Sequence, residues 1–203
     1  MMEVKGEALI SVPIFIIKKF GKSGFEKWLQ TLTPYAKSIY ESPIDKQKWY
    51  PLKKSLTVPT TEMCMLFFNK SYRGAWECGR YSAEYGLKGI YKVLVKLSSP
   101  QILIRKAGPI LLNYYRPSSL VVADSGPKNV IVHITEFPEM DKVIENRIGG
   151  WMERALEICG SKNVSVRIAH TRIDFKPVTE FNITWKSKFI ASKSVSKDSL
   201  PGT

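Results

Sequence analysis

The sequence predicts an α+β domain, a helical layer packed on a mainly antiparallel sheet of about four strands. Three observations carry this. Apolar residues recur at helical spacing up to about residue 115. From residue 118 the apolar period falls to two, over Ser119–Asp124 and Asn129–Thr135, then over Asn163–His170 and Thr179–Trp185. Between these alternating pairs stands one long helical stretch. The order is helices, two strands, a helix, two strands.

Residues 11–20 predict a first helix, with Ser11 placed to cap it and Pro13 tolerated in its first turn. A second is expected from Ser23, where Ser23-Gly24-Phe25-Glu26 has the capping-box pattern. In that pattern hydroxyl and carboxylate each satisfy a free backbone N–H. Phe25, Trp28 and Leu29 supply its buried stripe. Thr33-Pro34 restarts a short helix through Tyr40, and 41–58 reads as loop, punctuated by Pro43, Pro51 and Pro59. Three helices follow at about 59–71, 75–97 and 100–115, the last opened by Ser99 as cap and Pro100 at the first helical position.

The 75–97 stretch carries Trp76, Tyr81, Tyr85, Ile90, Tyr91, Leu94 and Val95, with Gly79, Gly86 and Gly89 inside it. An interior glycine costs about 0.5–1 kcal/mol relative to alanine. Three of them predict a close approach, either of a second helix or of a ligand. Ser125-Gly126-Pro127 turns the first strand pair. Asp141 opens the long helix, which ends at Cys159 with Gly160 as its C-terminal cap. In the last two strands, alternation puts Val164, Val166, Ile168 and His170 on one face, and Phe181, Ile183 and Trp185 on one face of the next.

At 203 residues and 44% hydrophobic, the chain suffices for one well-buried core. We divide it into a single domain over 1–185 and a disordered basic tail over 186–203, where periodicity stops and Lys and Ser dominate. No apolar run approaches the roughly 18–20 residues that cross a bilayer. The apolar stretch Ala8–Ile17 has Lys18-Lys19 after it, the reverse of a signal peptide. The expectation is a cytoplasmic protein. Cys64, Cys78 and Cys159 are odd in number and lack metal-ligand spacing, so they predict buried thiols. The net charge of +13 points to an acidic partner or to a solubilising surface, and its cations are dispersed rather than blocked.

Catalytic motifs are missing. There is no Gly-x-Ser-x-Gly, no P-loop and no dinucleotide glycine signature, and both histidines, His133 and His170, fall in strand patterns. The expectation is a protein with no enzymatic activity and no cofactor.

Stretches of the chain nevertheless follow a known pattern. They are Val4-Lys5-Gly6, Trp49-Tyr50-Pro51-Leu52, Gly79 to Tyr91, Leu97-Ser98-Ser99-Pro100, Tyr114-Tyr115, and Gly150 to Gly160. Together they resemble a family of uncharacterised bacterial proteins of the NO-signalling and Golgi-transport ligand-binding superfamily. Its other branches are four-vinyl reductase domains, phenol-sensor domains, haem-NO-binding relatives and TRAPP subunits. The helix-then-hairpin ending carries the same resemblance.

The resemblance implies an apolar cavity between helices and sheet for a small apolar or aromatic ligand, and a homodimer. Trp76, Tyr81, Tyr85, Tyr114 and Trp151 are the candidates to line that cavity, with Arg80 and His170 as polar contacts. Arg80 is placed either to meet a ligand carboxylate or phosphate or to pair with Glu84. Relatives often have a Cys-x-x-x-Gly-Asp-x-x-Cys pattern in the last hairpin, used for zinc in some phenol sensors. Here Thr171 and Thr179 stand in place of the cysteines, and Phe175 and Lys176 in place of Gly-Asp, so no metal site is expected. The first reading is a ligand-binding or sensory domain. The second is a basic adaptor for an anionic membrane surface or nucleic acid.

Overall fold

The computed structural model describes residues 1–87, 100–174 and 176–186. The predicted tail beyond Lys186, which itself ends a strand, the Ser99 cap, Gly89 and the distal part of the 75–97 helix lie outside the described residues. Within them the α+β prediction holds. Helices α1 (Gly6–Thr31), α2 (Pro34–Tyr40), α3 (Val58–Phe67), α4 (Arg73–Gly86), α5 (Pro100–Arg105), α6 (Ala107–Tyr114) and α7 (Lys142–Ile158) pack with two antiparallel sheets. The larger contains β4 (Ser119–Ser125), β5 (Asn129–Glu136), β6 (Lys162–His170) and β7 (Thr179–Lys186), in the order β4-β5-β7-β6. A second sheet joins β1 (Glu3–Lys5), β2 (Trp49–Pro51) and β3 (Tyr115–Arg116) in the order β2-β1-β3.

The alternation read from the sequence is that of β5 and β7, whereas β4 buries only Leu120 and leaves both Val121 and Val122 exposed beside its register shifts. Val130, Val132 and Ile134 of β5 are buried opposite Ile183, Phe181 and Thr179 of β7. On β6 it fails at the end. A register shift between Ile168 and His170 turns His170 out to solvent, off the apolar face where strict alternation puts it.

The chain's local signals set α7 closely. Asp141 caps it by accepting a hydrogen bond from the Ile144 N–H at 2.8 Å. At its other end Gly160 takes φ +95°, and the Gly160 and Ser161 N–H groups bond back to the Glu157 and Leu156 carbonyls. Thr33 likewise caps α2 at the Ala36 N–H.

Other boundaries differ from expectation. The first helix starts at Gly6 rather than at residue 11, and Ser11 lies inside it, bonding back to the Ala8 carbonyl. The two expected N-terminal helices run on as α1, broken at Gly21 (φ +73°) two residues before Ser23. The 41–58 loop contains β2 and a π-helical turn at Lys53–Thr57. The expected 100–115 helix is divided at Lys106, whose ψ of 0° is not helical.

The glycines of α4 and α7 explain their own cost. A Cβ on Gly79 would overlap the Arg147 carbonyl, and one on Gly150 would overlap the Trp76 carbonyl. The two helix backbones therefore meet with no side chain between them, the first of the two readings offered by the glycine spacing. This crossing brings Arg147 under α1 and sets the floor of the cavity described next.

Candidate functional site

The α7 sequence places Ile144, Arg147, Ile148, Trp151, Met152 and Ala155 on one helical stripe. That stripe faces the interior, and Arg147 goes in with it at 2% exposure. Across from it, α6 contributes Ala107, Ile110, Leu111 and Tyr114. Gly108 lets α6 lie close to β4, since a Cβ there would come within 2.8 Å of the Leu120 carbonyl. Between α6 and α7 remains a cavity of about 60 Å³, closed by Leu120, Tyr115 and Ala8 and reached past half-buried Ser82, Tyr114 and Trp151. A second void of about 30 Å³ shares Ala107, Ile110, Trp151 and Met152 with it and runs on toward Leu103 and Ile183.

The polar part of this wall is concentrated at Arg147. Its guanidinium donates to Cys78 Sγ at 2.8 Å, to the Ala8 carbonyl at 2.9 Å and to Ser11 Oγ at 3.1 Å. The Tyr115 phenol is a further neutral group close enough to interact with it. Burial lifts the Cys78 thiol and the Tyr115 phenol above their ordinary ranges, against the pull of Arg147.

The structure divides the residues singled out from the sequence. Tyr114 and Trp151 line the cavity. Trp76, Arg80 and Tyr81 line a separate open groove on the outer side of α4, with Phe15, Glu77 and Glu153. There the Trp76 indole N–H donates to Glu153 at 2.9 Å. Arg80 is bound by Glu153 and, at 2.8 Å, by Glu157, not by Glu84 four residues on. Glu84 pairs instead with Arg154 at 2.5 Å. Tyr85 is half-buried on the same helix. His170 borders a third, polar cleft with Lys142, Glu145 and Asp174.

Thr171 and Thr179 use their hydroxyls as hydrogen bonders. Thr171 donates to the buried Glu145 carboxylate at 2.6 Å, and Thr179 accepts from the Arg172 N–H at 3.2 Å. Among the described residues no cluster of three or more His, Cys, Asp or Glu can hold a metal ion. No described helix is long and apolar enough to cross a membrane.

Arg147 is the residue sequence reasoning missed. Its signal was present: a lone cation at i+3 from Ile144 and i−4 from Trp151, inside an apolar stripe.

Neither a protein-family model nor a curated protein matches the chain. Solved structures do. An H-NOX protein from S. oneidensis in the Fe(II)NO ligation state superposes with a TM-score of 0.69 at 12% identity, over 90% of this chain and 99% of that one. An Fe(II) unliganded H-NOX protein from K. algicida gives 0.66 at 10% identity, over 91% and 98%. The IWP-051-bound H-NOX from Shewanella woodyi gives 0.61 at 14%, over 93% and 97%. At such identities the likeness is one of fold. None of the three is a four-vinyl reductase domain or a TRAPP subunit.

Proposed function

We propose that this chain is a non-catalytic sensor domain that takes a small organic molecule directly into the cavity between α6 and α7. The observation that supports it is the cavity itself, with apolar walls, a half-buried aromatic rim and one concentrated polar group.

The H-NOX likeness raises haem as a candidate occupant, and the residues present do not fit it. The chain has two histidines, and both lie on the sheet. His133 bonds to Glu180 at 2.9 Å, and His170 is exposed. Burial pushes the Cys64 and Cys159 thiols up to about 11, and Cys78 up as well, so none is the thiolate that haem iron takes.

Adding haemin to the purified chain is therefore expected to give no ligated Soret band. Phenol, benzyl alcohol and phenylacetate, screened by thermal shift, are expected to include stabilising compounds. Stoichiometric haem with a ligated spectrum, or a panel that leaves the melting temperature unmoved, would overturn the reading.

A further inference from the structure

Arg147 is a buried cation whose partners among the described residues are all neutral. Ala8 offers a carbonyl, Ser11 a hydroxyl, Tyr115 a phenol and Cys78 a thiol. Tyr40 is the remaining titratable group that faces it, and burial holds that phenol protonated as well. Among the described residues no carboxylate lies within ion-pair distance of the guanidinium. Two residues away on the same helix, the interior handles charge differently. Glu145, 1% exposed, is matched by Lys142 at 3.1 Å and by the Thr171 hydroxyl. A buried ion without a counter-ion carries a large desolvation cost, which interiors meet by pairing. A guanidinium also has five N–H donors, more than these four groups use.

The cavity supplies both the place and the shape for the missing anion. Arg147 forms part of its wall, and the second void lies against the same Trp151 and Met152, on the side toward Ile183. One end is cationic and the rest is apolar. A single fixed charge matches a monoanion. A bare inorganic anion would leave the apolar arm empty.

We propose that the cavity binds a small organic monocarboxylate, with its carboxylate on Arg147 and its apolar part between α6 and α7. This rests on the cavity being the ligand site and adds the charge and orientation of its occupant.

The test compares phenylacetate with phenylacetamide, near-isosteric but uncharged, by calorimetric titration of the full chain. The acid is expected to bind at least tenfold more tightly, and Arg147→Gln to abolish that advantage while the amide still binds. Ala107→Phe, which fills the space shared by both voids, is expected to remove binding of both.

Equal binding of acid and amide would overturn the carboxylate proposal and leave the cavity reading standing. An acid preference that survives Arg147→Gln would place the anion elsewhere and overturn it too. If neither compound binds, nor any straight-chain carboxylate from butyrate to octanoate, the cavity reading itself falls. Should Arg147→Gln fail to fold, the wild-type acid-to-amide ratio decides, together with a carboxyl-13C titration. The bound carboxyl is expected to stay ionised below the pH at which the free acid protonates, and an unshifted titration counts against the proposal.

Discussion

Arg80 and Arg147 lie on two sides of one helix crossing and solve the same problem in opposite ways. Arg80, on the outer face of α4, is held by the carboxylates of Glu153 and Glu157. Arg147, inside α7, meets a carbonyl, two hydroxyls and a thiol. The outer site is a closed charge network, continued through Arg154 to Glu84. The inner site is hydrogen-bonded only to neutral groups and, among the described residues, unbalanced in charge. A network that closes on itself is structure. A buried charge left over beside a cavity is what the carboxylate proposal rests on, and that is why it is built on Arg147 rather than on Arg80.

The comparison breaks most completely if the crossing is lost. Gly150→Val sets a branched side chain against the Trp76 carbonyl and is expected to cost about 3 kcal/mol or more, the upper range for overpacking. Urea unfolding would measure it, and both arginine sites should fail together. An unchanged midpoint would mean the helices can separate freely.

Next in size is Arg147→Met in the ligand-free chain, expected to cost about 2 kcal/mol because it strands buried acceptors at Ala8 and Ser11. Because those partners are neutral, the loss should be the same at low and high salt. A loss that shrinks with salt would reveal a hidden anionic partner.

Arg80→Met should cost less, about 1 kcal/mol, for a network roughly a quarter exposed, and salt should screen it. Its pH dependence has a defined sign. Burial pushes the Glu157 carboxyl up, but hydrogen bonds from Arg80 and Arg154 outweigh it and hold the group below its ordinary 4.5. A depressed carboxylate contributes stability above that ordinary value and loses it as pH falls through the folded value. Wild-type stability should therefore drop in acid below about pH 4.5, and Arg80→Met should flatten the drop. An identical acid limb in both proteins would remove Glu157 from the account.

The smallest expected effect sharpens the outer site alone. Trp76→Phe removes the indole N–H that meets Glu153 and should cost about 0.5–1 kcal/mol. Phenylacetate binding should not change, since Trp76 faces the outer groove and not the cavity.

Much of the architecture was legible before any coordinates. The period-2 runs became β4 to β7, Asp141 and Gly160 bounded α7, and Thr33-Pro34 opened α2. These are local effects: a cap bonds three residues on, and a strand shows its faces in consecutive residues. The interior glycines were likewise legible as a close approach, though not what approached. Of the proposed lining, Tyr114 and Trp151 reached the cavity, whereas Trp76, Arg80 and Tyr81 went to the outer groove. A sequence shows that a helix is aromatic but not which neighbour takes each side.

The chain by itself determined the fold class, the order of the helices and of the large-sheet strands, and the burial of its three thiols. Tertiary structure alone decided the small sheet, because β1 pairs with residues some 46 and 112 positions away through backbone bonds that carry no side-chain signature. It alone decided that, among the described residues, Arg80 meets carboxylates and Arg147 does not. Whether a charge is paired depends on which distant groups stand within a few ångströms, and that distance is set by two helices meeting at Gly79 and Gly150, not by spacing along the chain.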